Sequence, residues 1–213
     1  SCVLSDADRV DTNTRLRRSI EMLPGLLKGH GFRGRRVGTC LPREYVQSKT
    51  LRLPTLPEHE LRAAIHFEAS QLFEIEAKHL AIHFLTAGEV KQGAETRTEV
   101  IVLGVDTRAL DSILEQFNAA GLRLDALEFE PCAAYRGIER FLRRKEDENV
   151  VNVLLDVGAR QSQVVIGRGH EVTFVKSIDI GGRSFTESVA RKLNVSTDEA
   201  RELRRSYAAA SDA

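Results

Sequence analysis

Apolar residues recur along this chain at two spacings, and the change from one to the other divides it. Leu16, Ile20, Leu23 and Leu27 repeat at steps of three and four, which predicts an amphipathic helix over residues 12–30. Pro24-Gly25 interrupts that stripe, and a proline there kinks or ends a helix. Residues 37–42 read as a short strand stopped by Pro42, and residues 46–53 as a second ending in Leu53-Pro54. Pro57, followed by Glu58 and Glu60, opens a second helix, since proline suits the first helical position and acids suit the positive end of the dipole. Leu61, Ala64, Ile65, Ala69 and Leu72 form its stripe.

Leu80, Ile82 and Phe84 alternate as a strand does, while residues 100–105 are a continuous apolar run suited to a strand covered on both faces. Asp106 is placed to cap a helix bearing Leu110, Ile113, Leu114 and Phe117, which Gly121 closes. Residues 122–127 return as a strand. Residues 43–129 thus read β-α-β-β-α-β, a compact α/β block with its helices against one sheet.

A further helix around residues 133–142 leads into the charged run at residues 143–149, the best candidate for a hinge. Beyond it three short strands follow at residues 151–157, 162–166 and 172–178, with Gly167-Arg168-Gly169-His170 as a hairpin connection. Phe185, Val189 and Leu193 share a face of the next helix. Ser196 followed by Glu199 is a capping-box pattern that starts a last one. That helix runs out at residues 208–213 with no apolar strand after it, so the domain is expected to be cut off.

Composition narrows the classes. The 42% hydrophobic and 29% charged content is that of a globular domain. Basic and acidic residues balance at 31 each, so the chain as a whole has no broad attraction to nucleic acid or to an anionic membrane. Two local basic runs, Arg15-Leu16-Arg17-Arg18 and Arg33-Gly34-Arg35-Arg36, are candidate phosphate-binding patches or plain solvated faces. Cys2, Cys40 and Cys132 are scattered without paired spacing, which fits reduced cytoplasmic thiols rather than a disulfide framework or a zinc site. No apolar stretch approaches the roughly 20 residues that cross a bilayer. The opening residues lack an initiator methionine, so the sequence is expected to begin inside a longer protein.

Three segments carry candidate chemistry. In Asp156-Val157-Gly158-Ala159-Arg160-Gln161-Ser162, an aspartate at the end of an apolar strand precedes a glycine and a polar turn. Gly158 permits close approach of backbone amides to an anion, and Asp156 can hold a magnesium-bound water. The plain alternative is an Asx turn in which Asp156 bonds its own backbone. In Asp179-Ile180-Gly181-Gly182, leading from a strand into a helix, the glycines can lie beneath a nucleotide or merely allow tight packing. Glu130-Pro131-Cys132-Ala133-Ala134-Tyr135 sets the direction of a helix, and Cys132 has no histidine at a nucleophile's spacing. The six histidines fall into no metal-binding motif.

The order of these segments resembles the second nucleotide-facing lobe of the actin, heat-shock chaperone and sugar-kinase superfamily. Asp156 and Gly158 match its second phosphate motif, and Glu130, Pro131 and Ala134 resemble its inter-lobe helix. The β-α-β-β-α-β block is similar to the inserted subdomain (1C) of the FtsA and PilM families. Leu51-Arg52-Leu53-Pro54, Ile65, Glu68-Ala69, Ala120-Gly121-Leu122, Leu127-Glu128 and Glu199-Ala200-Arg201-Glu202 favour the PilM family of type IV pilus assembly proteins.

That resemblance implies an α/β, actin-like (ribonuclease H-like) ATPase fold, incomplete, with an inserted subdomain. It implies a partial first-lobe (1A) segment at 1–42, the inserted subdomain at 43–129, an inter-lobe helix and hinge at 130–149, and a partial second lobe (2A) at 150–213. It places ATP and Mg2+ near Asp156, Gly158, Asp179, Gly181 and Gly182, with Asp156 toward the metal. It also implies a cytoplasmic scaffold, held at the inner membrane through a PilN-like protein's tail and other pilus assembly proteins, with no nucleic acid partner. The superfamily's first phosphate motif and its later adenosine-gripping glycine pair have no counterpart here. This chain is therefore expected not to hydrolyse ATP by itself, although its full-length parent would bind ATP. FtsA-like or GspL-like assembly proteins and a phosphotransferase of the superfamily are the alternatives. Unpaired sheet edges would also favour self-association.

Overall fold

The computed structural model describes Leu4 and residues 11–211; Cys2 lies outside the described residues. The chain divides into two compact units, one ending at Ile138 and the other beginning at Glu139.

The first unit opens with helix α1 (Thr12–Gly29), whose N-cap Asp11 accepts a hydrogen bond of 2.8 Å from the Thr14 amide. The helix does not end at Pro24 but continues past it to Gly29. The proline removes one backbone donor, but buried Ile20, packed with Leu16, Leu23 and Leu27, holds both halves against the core. Strand β1 (Arg36–Leu41), strand β2 (Val46–Pro54) and helix α2 (Glu58–Leu72) follow. Then come β3 (Leu80–Gln92), β4 (Glu95–Asp106), helix α3 (Thr107–Ala119), β5 (Arg123–Phe129) and helix α4 (Glu130–Glu139).

The element order of the β-α-β-β-α-β block is as read, but its strands do not make one sheet. β2, β4 and β3 form an antiparallel sheet in that order, whereas β5 pairs in parallel with β1. A parallel partner requires a long crossover, and only folding of the whole unit supplies β1. β3 and β4 are also longer than expected, extending together to a tight turn at Gly93. Their distal halves carry Glu89, Lys91, Glu95, Arg97 and Glu99, so no apolar alternation marks them.

β4 is the covered central strand. Val100 and Val102 pack with Leu61, Ile65, Ala69 and Phe73, which is the α2 side. Val105, of opposite parity, joins Ile20, Leu41, Ile113, Phe117 and Leu122, which ties α1, β1 and α3 together. Burying each such side chain contributes about 1.5–3 kcal/mol. Gly104 gives the Phe73 ring its seat, since a Cβ there would stand 2.9 Å from three ring carbons.

In the second unit a short 3-10 turn (Lys145–Asn149) occupies the charged run. Asp147 fastens it by accepting from the amides of Arg143 (2.9 Å) and Arg144 (2.8 Å). Strands β6 (Val151–Val157), β7 (Ser162–Arg168) and β8 (Glu171–Ile178) form an antiparallel meander in chain order. Val151, Val153, Leu155 and Val157 of β6, with Phe174 and Ile178 of β8, share one exposed face. Helix α5 (Gly182–Leu193) ends at Asn194 in the left-handed conformation. Helix α6 (Thr197–Ser211) begins with the expected capping box. The Glu199 amide donates to Ser196 Oγ at 3.2 Å and the Ser196 amide to Glu199 Oε2 at 2.9 Å.

Candidate functional site

The two glycine-bearing segments of the second unit meet. β6 delivers Asp156 and Gly158 into the turn toward β7, and β8 delivers Asp179 and the Gly181-Gly182 pair into α5. The turn closes on itself through the Gly158 amide and the Gln161 carbonyl at 3.0 Å. A Cβ on Gly158 would stand 2.7 Å from that carbonyl oxygen. The first amides of α5 then dock on the turn: Gly182 donates to the Gly158 carbonyl (2.9 Å) and Arg183 to the Ala159 carbonyl (2.8 Å). Helix N-termini leave such donors without partners inside the helix, and here the hairpin's carbonyls accept them.

Gly181 is the tightest point of this contact. A Cβ there would lie 2.6 Å from both the Arg160 carbonyl carbon and the Gln161 amide nitrogen. Its backbone is extended, so the glycine is required by proximity rather than by conformation. The glycine pair thus seats α5 on the hairpin. Ser162 Oγ donates to the Ile180 carbonyl at 2.6 Å, and Gln161 Nε2 donates to the Asp179 carboxylate.

Strand register sets Asp156 across from Gln163, which in turn faces Ser177, so these three share one side of the sheet. Asp156 and Asp179 are both exposed, while Gln163 is buried. Among the described residues no three His, Cys, Asp or Glu side chains gather into a metal-binding group. A magnesium ion held by Asp156 would take its remaining oxygens from phosphate and water, as that ion commonly does.

Two features of the structure had no counterpart in the sequence reading. Arg204 of α6 donates through Nη1 to the Gly182 carbonyl (2.7 Å) and to Thr186 Oγ1 (2.6 Å), and its guanidinium lies over Phe185 at 5.6 Å. It braces the first turn of α5 from the side opposite in sequence, and a separation of 22 residues leaves no local pattern to find it by. In the first unit a cleft of about 470 Å³ lies between α2 and β3, lined by Leu56, Leu61, Arg62, His83, Phe84 and Glu89 among others. Arg62 spans it, over the Phe84 ring at 5.3 Å and 3.3 Å from Glu58. Cys40 and Cys132 are half-buried and outside any disulfide, and burial, with Glu130 and Glu128 nearby, pushes the Cys40 thiol upward.

The family described as "Type IV pilus assembly protein PilM" matches residues 6–212. The chain belongs to the PilM family. Among solved structures it is similar to the "PilM-PilN type IV pilus biogenesis complex" at 27% identity and a TM-score of 0.69. That match covers 91% of this chain and 56% of the PilM-complex chain, so the present chain spans little more than half of that relative. The cytoplasmic domain of EpsL, an inner membrane component of the type II secretion system of Vibrio cholerae, matches at 13% identity and a TM-score of 0.47, covering 82% of this chain and 60% of that one. The ethanolamine utilization protein EutJ from Carboxydothermus hydrogenoformans matches at 19% identity and a TM-score of 0.35, covering 45% and 32%. No curated protein matches. With its PilM membership the fold class is the α/β, actin-like ATPase one. No described helix is long and apolar enough to cross a membrane.

Proposed function

We propose that this chain is part of a PilM-type scaffold for type IV pilus assembly, which captures the cytoplasmic tail of a PilN-like inner-membrane protein. The observation that carries this reading is the family match over residues 6–212, supported by the likeness to a PilM–PilN complex. An extended tail gains main-chain hydrogen bonds and pockets for alternate side chains when it docks on such a surface. The scaffold works in the cytoplasm, at the inner membrane through that partner.

In the full-length protein the β6–β7 hairpin faces ATP. Asp156 orients a magnesium-bound water, Gly158 keeps the turn's backbone close to phosphate, and Asp179 stands beside it, held by Gln161. Bound Mg2+ supplies charge neutralisation for the phosphates. Gly181 and Gly182 contribute by fixing α5 against that hairpin. Such an arrangement suits nucleotide sensing by a scaffold.

The test uses the full-length parent beside this chain. Fluorescence anisotropy with a labelled N-terminal peptide of the parent's PilN-like partner is expected to show saturable binding to the parent. Absence of binding refutes the scaffold reading. Calorimetry with ATP and Mg2+ is expected to show binding by the parent that Asp156→Ala weakens. An Asp156→Ala parent that binds ATP-Mg2+ like the unaltered protein removes the hairpin from the site.

A further inference from the structure

The basic run at residues 33–36 is not used by the function proposed above, and the fold concentrates it. From Met22 to Arg43 the chain has no acidic residue, while Lys28 lies in the last turn of α1 and Arg33, Arg35 and Arg36 follow in the turn into β1. Pairing of β1 with β5 sets Arg36 across from Arg123, and the Arg123 amide donates to the Arg35 carbonyl at 2.7 Å. Like charges placed directly across a strand pair repel. Asp125 answers only part of this charge, binding both Arg36 and Arg123. Among the described residues Lys28, Arg33 and Arg35 have no acidic partner, and all three are exposed.

At the tip of this loop stands Phe32, 68% exposed. Its amide is tied to the Leu27 carbonyl at 3.1 Å, and it sits between Gly31 and Gly34, whose φ of 75° and 94° are conformations that glycine adopts without strain. Phe32 is therefore presented outward in a segment that also carries His30, Arg33, Arg35 and Arg36, with Arg123 paired across from Arg36. An exposed ring in a basic segment matches an anionic bilayer surface, where the ring enters the interface and the cations meet phosphate headgroups. Nucleic acid fits less well, because single-strand binding draws on successive aromatic platforms and Phe32 is the one aromatic of residues 28–36. Since the charges of the whole chain, this patch included, balance at 31 each, the attraction is local and would orient the protein.

We infer that the Lys28–Arg36 segment, which joins α1 to β1, docks with Arg123 directly on anionic phospholipid, a contact separate from any tail held by the scaffold. The inference does not rest on the partner reading, and its test contains no partner. The chain is floated with vesicles of phosphatidylglycerol and phosphatidylcholine, and with phosphatidylcholine alone, at low and physiological salt. Binding to the anionic vesicles alone is expected, weakening as salt rises.

Each basic residue at such a surface is worth about fivefold in partitioning, so Arg33→Gln with Arg35→Gln is expected to reduce binding about 25-fold. Phe32→Ser is expected to lose about tenfold or more. The double substitution Arg201→Gln with Arg205→Gln removes equal charge from α6 and is expected to leave vesicle binding unchanged. Circular dichroism establishes that each variant is folded.

Failure to bind anionic vesicles at low salt, equal binding to phosphatidylcholine, or binding indifferent to the Arg33 and Arg35 substitutions overturns the inference. So does displacement by soluble glycerol phosphate, which would assign the patch to free phosphate. Binding of an oligonucleotide through these residues without vesicle binding would assign it to nucleic acid.

Discussion

Gly181 and Gly182 adjoin in sequence, yet the structure assigns them opposite responses to a methyl group. A Cβ on Gly181 would stand 2.6–2.7 Å from three backbone atoms of the 158–161 turn. Backbone cannot rotate aside as a side chain can, so either the hairpin or the start of α5 must move. Such overpacking costs about 1–3 kcal/mol. The reduced freedom of the unfolded chain returns about 0.4–1 kcal/mol, so Gly181→Ala is expected to destabilise by about 1–2 kcal/mol. Displacement also stretches the bonds from the Gly182 and Arg183 amides, which pushes toward the upper end of that range. At Gly182 the nearest atom to a Cβ is 3.8 Å away, an ordinary contact. Alanine is also a better helix former than glycine by up to about 1 kcal/mol, so Gly182→Ala is expected to be neutral or stabilising. Urea unfolding of both variants beside the unaltered chain, read by circular dichroism, gives the comparison. Equal stability of Gly181→Ala and the unaltered chain, or a larger loss in Gly182→Ala, would refute the seat described for α5.

Three further outcomes are expected. Gly104→Ala pushes a methyl into the Phe73 ring and should destabilise by about 1–3 kcal/mol; combining it with Phe73→Leu should recover part of that loss, measured as a double-mutant cycle in denaturant. Arg204→Lys cannot reproduce a planar guanidinium that bonds the Gly182 carbonyl and Thr186 while lying over Phe185, so it should destabilise nearly as much as Arg204→Met, with faster amide exchange in the first turns of α5. At Asp106 the Arg108 side chain, then the Arg108 amide, holds the carboxyl down from 3.8 to about 2. A carboxyl lowered in the folded state stabilises above its unfolded value and loses that contribution as pH falls through the folded one. Acid unfolding between those two values should therefore be steeper in the unaltered chain than in Asp106→Asn, and carbon NMR of the carboxyl should titrate near the lower value.

The sequence alone specified what depends on neighbours three or four residues apart. Asp106, Ser196 and Glu199 could be read as caps because a capping side chain bonds amides within its own first turn, and the structure makes those bonds. The unbroken apolar run at residues 100–105 marked a strand covered on both faces, since only a central strand can bury every side chain it carries. The candidate residues Asp156, Gly158, Asp179, Gly181 and Gly182 were visible as two separate segments with a plain alternative beside each.

What joins those segments was not visible, because it depends on atoms that chain folding brings together. Ser162 meets Ile180 across 18 residues, Arg204 meets Gly182 across 22, and Arg36 meets Asp125 across 89. A partner at such separations leaves no periodicity, and closing the intervening chain is repaid only when a whole unit packs. For the same reason the β5–β1 pairing, the polar ends of β3 and β4, and the placing of Arg123 across from Arg36 were decided by tertiary structure. The local pattern chose each helix and strand; burial of their apolar faces against one another chose which of them would touch.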